Sequence, residues 1–356
     1  MSDRLFLVES DATGLRAALV EDRRLQAIEI DGTRHPTRVG SVAAATVLRT
    51  VQGLGTIVKL ADGTELLLDR GGPTPKAGDE IAVQLTHPPR GDKLGTATRA
   101  IACTGRGVVH LPLDLGIKFS RRLEIDEARR GMLEPLVAGK PGAWIFRCGA
   151  GHIDEADFAA EIATLAAEGQ GAEIAAPDAF RRLATDWAAE PPDRILTAGL
   201  AARRTVERWC RAFAPSVEAR MEPVDAGLFD LYDVDEAVSA LGEPRVMLPG
   251  GASLVIEPTE ALTVIDVNAG PAANALSVNL TAAAEIGRQL RLRHIGGIVV
   301  IDFISGTQPR ERERIVEALK SAVADDPSQT YILPMSALGL VEMTRESRGP
   351  GLELER

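Results

Sequence analysis

The sequence predicts an α/β protein of several domains, and three observations carry that prediction. Two apolar runs in the last third, at 261–268 and 298–305, each hold an aspartate near their end and flank a helical stretch at 280–293 rich in Ala, Leu and Arg. Between 42 and 101, short β-like runs alternate with turn residues. Finally, 356 residues with 45% hydrophobic and 26% charged content describe a globular chain longer than one ordinary core.

Taken in order, residues 1–39 read as strands joined by turns, with strand-like runs at 5–9, 15–20 and 25–30, until Arg34-His35-Pro36-Thr37 breaks the pattern. Runs at 43–51, 55–60, 65–68, 80–87 and 95–101 follow, separated by Asp62-Gly63, Gly71-Gly72-Pro73 and Pro88-Pro89-Arg90-Gly91. Short strands at this spacing predict a small barrel, for which the OB fold is the candidate. Pro191-Pro192-Asp193 marks a hinge, 195–213 has helical spacing, and an α/β region starts at 246.

The pair of aspartates carries the chemistry. Val/Ile runs bounded by turn residues are expected of parallel strands covered on both faces, and the stretch between them completes a βαβ unit. Such crossovers are right-handed and return the chain in parallel, so Asp266 and Asp302 are expected at the carboxyl edge of one sheet, where open α/β sheets bind ligands. Asp266 and Asn268 share a face because side chains alternate along a strand. One reading makes both aspartates ordinary strand-ending turn residues. The other notes that both lie inside apolar runs and that Phe303 and Ile304 continue the second strand. A carboxylate on a buried strand needs a partner. Magnesium, or manganese in its place, suits such oxygen ligands.

Bulk properties narrow the classes. The net charge of −11 argues against a uniformly basic nucleic-acid binder. Basic residues nevertheless cluster at 118–130, 203–211 and 288–293, with acids at 154–173 and 225–236. Arg288 and Arg291, three apart on a helix, form either a solvated face or a phosphate contact beside the aspartates. The three cysteines, Cys103, Cys148 and Cys210, include no CxxC pair, so free cytosolic thiols are expected and zinc is not. The Leu5-Phe6-Leu7-Val8 run near the start is too short for a signal-peptide core, so a cytoplasmic protein without a membrane segment is expected. His87 and His294 have no recognisable partner, and no serine or cysteine constellation offers a nucleophile.

Several stretches resemble the ribonuclease E/G family of bacterial endoribonucleases. They are 259–268, 285–293 and 296–304, with Leu248-Pro249-Gly250-Gly251 before them and 336–345 after. The resemblance implies that Asp266 and Asp302 hold the catalytic magnesium and that Asn268 orients the reacting phosphate. It also implies an architecture: a ribonuclease H-like part in two pieces, 1–39 and 191–245; an OB-fold RNA-binding domain at 40–104; a 5′-sensor-like domain at 105–190; and a DNase I-like α/β catalytic domain at 246–356. The implied function is magnesium-dependent hydrolysis of single-stranded RNA to 5′-phosphate and 3′-hydroxyl ends, in RNA processing or decay.

Departures from the family pattern qualify these expectations. The runs 55–60 and 65–68, which match the family's base-stacking strands, contain no Phe, Tyr or Trp, leaving Arg90 and Lys93 as basic contacts or as simple turn charges. In the sensor-like part the resemblance rests on Phe119-Ser120-Arg121-Arg122-Leu123-Glu124 and on 144–151. Arg121 and Arg122 are candidate RNA contacts. Arg147 takes the place of the phosphate-binding arginine, whereas Cys148, a weaker hydrogen-bond donor, replaces a threonine. Arg147 is alternatively structural. Thr281 and Ser305 stand where the family carries acidic residues. The family's CPxC zinc link and small oligomerisation domain are not found in the sequence, so a monomer or weak homodimer without zinc is expected. The rival functions are a catalytically weakened RNA-binding or ribosome-associated protein on the same scaffold, and a metal-dependent phosphodiesterase with a non-RNA substrate.

Overall fold

The computed structural model describes residues 3–347 except 13, 32–38, 72, 90–92, 188–189, 226, 272–273 and 306–307. The chain divides into two compact units, residues 1–23 with 28–228, and residues 24–27 with 229–356.

The chain begins with β1 (Arg4–Asp11), β2 (Gly14–Glu21) and β3 (Arg24–Ile30). Asp22 and Arg23 take φ of 48° and 59°, the positive values that tight two-residue hairpins need. A barrel follows, built from β4 (Val42–Val51), β5 (Gly55–Leu60), β6 (Glu65–Leu68), β7 (Glu80–His87) and β8 (Gly95–Thr98). It closes in the order β4-β5-β6-β8-β7. Alternate residues Ala45, Val47, Val58, Leu66, Leu68, Val83, Leu85 and Ala97 fill its interior, as the period of a strand requires. The last strand stops at Thr98, short of the expected 101.

Beyond the barrel, β9 (Cys103–Thr104), β10 (Val108–Leu111), β11 (Gly116–Phe119) and β12 (Ala143–Phe146) form a sheet ordered β11-β12-β10-β9. With it come α1 (Glu127–Val137), α2 (Glu155–Glu168) and α3 (Ala179–Trp187). Trp144 is buried and stacks on His110 with ring centroids 4.1 Å apart.

The expected helix at 195–213 is a strand followed by a helix. Residues Arg194–Ala198 form β13, parallel to β1, and Leu200–Phe213 form α4. Ile195-Leu196-Thr197 suits a buried strand as well as a helix, and Gly199 decides the break: its φ is 89°, and a Cβ there would lie 2.4 Å from Ser10 Oγ. Met221–Val224 adds β14, and the first sheet is ordered β14-β13-β1-β2-β3.

After α5 (Leu228–Leu231) and α6 (Val234–Ala240), the second unit builds one mixed sheet. Its strands are β15 (Arg245–Met247), β16 (Ser253–Pro258), β17 (Thr263–Asn268), β18 (Gly297–Asp302), β19 (Thr330–Ile332) and β20 (Leu340–Arg345), ordered β15-β16-β17-β18-β20-β19. Two helices accompany it, α7 (Ala275–Leu292) and α8 (Pro309–Ala322). The helix between the aspartates therefore starts five residues before the expected 280, at a cap where Asn274 Oδ1 accepts the Ser277 N–H. Ile265, Val267, Val299, Ile301, Val341 and Met343 pack on Ile286, Leu290, Ile315 and Leu319 of the two helices. The alternate residues Asp266, Ile298, Asp302, Glu342 and Thr344 are exposed. The strands are thus covered on one face rather than two, and among the described residues of this sheet only the β17–β18 pairing is parallel. At the end of β20, Arg345 grips Asp326 through two hydrogen bonds of 2.9 Å, both side chains buried.

Burial separates the three thiols. It pushes Cys103 up to about 11 and Cys210 up to about 12, while Cys148 is exposed. Because the thiolate is the reacting form, the native protein at pH 8 is expected to present one thiol to an aromatic disulfide reagent. Cys148→Ser should abolish that reaction, and guanidinium should release the other two thiols. Fast native reaction of a second thiol would contradict this packing.

Candidate active site

Pairing of β17 with β18 sets Asp266 directly beside Asp302. Adjacent strands lie about 4.8 Å apart, so the two carboxylates share one row on one face. The row continues through partners on both sides: Arg245, Val255, Asp266, Asp302 and Leu340 stand in register across β15, β16, β17, β18 and β20. Both aspartates are exposed, which corrects the expectation of carboxylates carried on buried strands. Among the described residues neither forms an ion pair with lysine or arginine. Asn268 lies two residues along the same face, where its Nδ2 donates to Asp266 Oδ2 at 2.9 Å.

The backbone around the pair is held closely. The turn Leu248-Pro249-Gly250-Gly251 carries Gly250 at φ 76° and Gly251 at φ 79°. The loop leaving Asn268 rests against it: a Cβ on Gly270 would come 2.2 Å from the Gly250 carbonyl oxygen. Beyond Asp302 the chain leaves the sheet, so Phe303 and Ile304 do not extend the strand as expected. Phe303 turns into the core and Ile304 is bound by Asn279 of α7, whose side chain is wholly buried.

These groups fit a divalent cation with a partly hydrated shell. Two neighbouring carboxylates supply oxygen ligands, and among the described residues no set of three or more His, Cys, Asp or Glu is arranged to hold a metal. Two protein carboxylates leave positions for water and a substrate phosphate, the usual arrangement for magnesium.

The other expected contacts are dispersed. Arg288 and Arg291 lie on α7, the helix that packs against the sheet face opposite the carboxylates, and both are engaged there. Arg288 donates to Glu285 at 2.7 Å, and Arg291 donates to the Ala322 carbonyl at 2.8 Å. Helical spacing put the two arginines together but gave no information on which neighbours they meet. In the first unit Lys93, Arg121 and Arg122 are exposed, whereas Arg90 lies outside the described residues. Arg130 lies over the Phe119 ring at 4.3 Å. Arg147 is turned inward: Nη1 donates to the Gly105 carbonyl at 2.6 Å and the Thr185 carbonyl at 3.3 Å, and Nη2 is 3.6 Å from Asp186. Cys148 beside it is exposed.

Two residues escaped the sequence reading. Arg245 stands in the carboxylate row, exposed and donating to Ser253 Oγ at 2.8 Å. It is isolated in sequence, so no charge cluster marked it. Asn279 lies just before the stretch whose spacing predicted a helix, so no periodicity singled it out.

The ribonuclease E/G family model matches residues 102–348, a span holding the carboxylate row and the whole β15–β20 sheet of the second unit. The chain belongs to the ribonuclease E/G family. It is 30% identical to ribonuclease G of Escherichia coli K12 over 302 residues, 78% of this chain and 62% of that protein. It is likewise 30% identical to ribonuclease E of Synechocystis over 300 residues, 76% of this chain and 44% of that protein. Ribonuclease G of Haemophilus influenzae is 28% identical over 305 residues, with 78% and 61% covered. The chain therefore spans about three-fifths of the length of the ribonucleases G and less than half of that ribonuclease E.

The arginines of α7 allow a direct check of this family member's site. Glu285 is buried, so removing its Arg288 partner should cost roughly 1–3 kcal/mol, the usual range for a broken charge-assisted contact. Arg288→Ala is expected to lower the urea midpoint while leaving the RNA dissociation constant unchanged. A large loss of RNA affinity without destabilisation would return Arg288 to the substrate surface.

Proposed function

We propose that this chain is a metal-dependent endoribonuclease that hydrolyses single-stranded RNA to 5′-phosphate and 3′-hydroxyl ends, in RNA processing or decay in the cytoplasm. The observation that carries the proposal is the in-register placement of Asp266 beside Asp302 on an exposed sheet face of a ribonuclease E/G family member. Asp266 and Asp302 would hold magnesium, or manganese in its place. When bound, such an ion polarises the phosphate and lowers the pKa of coordinated water.

The protein groups have separate tasks. Asp266 and Asp302 serve as ligands rather than as proton acceptors. Asn268 fixes the Asp266 carboxylate through one amide hydrogen, and its second hydrogen can meet a nonbridging phosphate oxygen. Arg245, two strands from Asp266, adds positive charge where the RNA backbone would continue across the sheet. The exposed face gives an extended single strand room to lie along the row.

For the remaining segments we propose the family roles: ribonuclease H-like pieces at 1–39 and 191–245, an OB-like RNA contact at 40–104, a 5′-sensor-like part at 105–190 and a DNase I-like catalytic part at 246–356. Strands β4 to β8 carry no Phe, Tyr or Trp, so the barrel would hold RNA by charge, through groups such as Lys93 and Arg90, and without base stacking. Among the described residues no helix is long and apolar enough to cross a membrane.

Asp266→Asn and Asp302→Asn preserve side-chain volume on an exposed face, so each should abolish cleavage of a 5′-monophosphorylated, A/U-rich single-stranded RNA while thermal unfolding barely changes. EDTA should have the same effect on the wild type. Most of the rate surviving in either variant at saturating magnesium would refute the assignment. RNA binding with no metal-dependent cleavage in the wild type would select the weakened RNA-binding alternative.

The inward turn of Arg147 and the thiol of Cys148 favour weak sensing of the RNA 5′ end. A charge-assisted hydrogen bond is worth about 1.5–3 kcal/mol, roughly tenfold or more in kcat/KM, and here its main donor is occupied by carbonyls. Substrates with 5′-monophosphate and 5′-hydroxyl should therefore differ by less than about tenfold, and Cys148→Thr should widen the gap. A large wild-type preference that Cys148→Thr leaves unaltered would count against this reading.

A further inference from the structure

We propose that Asn279 is a positioning residue that fixes the metal ligand Asp302 by holding the backbone two residues beyond it. The inference rests on the metal-site reading above. Strand β18 ends at Asp302, where the ladder pairs that residue with Asp266 on one side and Leu340 on the other. The next residues leave the sheet and need another hold. Asn279 provides it with both ends of one side-chain amide: Nδ2 donates to the Ile304 carbonyl at 3.0 Å, and Oδ1 accepts the Ile304 N–H at 3.0 Å. This reproduces the pair of bonds that a neighbouring strand would make, from a side chain of 0% exposure on α7.

Asp302 is therefore held on both sides along the chain. Ile301 before it is buried and paired with Val341, while Phe303 after it is buried and Ile304 is tied to α7. Its carboxylate then has little backbone freedom, and its distance from Asp266 is set before any ion arrives. Groups that orient ligands from behind typically affect metal affinity by 10- to 100-fold. A buried asparagine also satisfies backbone groups for stability alone, so the test has to separate the two roles.

Manganese binding without RNA, followed by electron paramagnetic resonance, makes that separation. Wild type, Asp302→Asn, Asn279→Asp and Asn279→Leu should be titrated, with melting of each protein recorded without metal. Asn279→Asp retains volume and the acceptor but loses the donor and adds charge against a carbonyl; Asn279→Leu removes both bonds. Both are expected to bind manganese at least about tenfold more weakly, and their cleavage should recover at saturating metal. Lower melting with wild-type manganese affinity would make Asn279 merely structural and overturn the proposal. Asp302→Asn binding manganese as wild type does would instead overturn the metal site itself. Nuclear magnetic resonance of the wild type keeps the test decisive if the variants do not fold. Magnesium should shift the Asn279 side-chain amide and the Ile304 N–H in step with occupancy, and unmoved signals would overturn the proposal.

Discussion

The metal site proposed for this protein depends on the parallel pairing of β17 with β18. That pairing makes two carboxylates, 36 positions apart in sequence, immediate neighbours. Parallel strands need a long crossover, and α7 supplies it with a stripe of buried Val278, Ala282, Ile286 and Leu290 at helical spacing. The same stripe covers Ile265, Val267, Val299 and Ile301, so the core that stabilises the sheet also sets the register of the aspartates. Burial on one face and chemistry on the other thus have one cause.

Where the period of the sequence matched the period of the structure, the fold was legible. The three opening strands and the barrel strands were read nearly to their ends, because their apolar residues alternate and their turns carry Gly, Pro and Asp. The strand at 194–198 was missed because a short buried strand running through Gly199 into Leu200-Ala201-Ala202 has no polar break to mark its end. The break depends on Gly199 approaching Ser10, a contact between residues almost 190 positions apart.

Legibility of the site followed the same division. Asp266, Asn268 and Asp302 stood out as polar residues inside apolar runs. Their exposure did not, since whether the second face of a strand is covered depends on the rest of the molecule. Arg288 and Arg291 show the complementary failure: spacing places side chains on one side of a helix, but their neighbours, Glu285 and the Ala322 carbonyl, are settled by packing. Asn279 was unreadable because its partner is a backbone segment, which carries no residue-type signal.

The one-sided sheet also restricts how this chain can change length over evolution. Inserting or deleting a single residue within β17, ahead of Asp266, would turn the aspartate into the core and present Ile265 to solvent, losing fold and chemistry together. A two-residue change would keep each side chain on its face yet move Asp266 out of line with Asp302. Length variation is therefore expected to collect in the connections rather than in β17 and β18, and the shortest viable path between homologous sequences runs through substitutions there, not gaps.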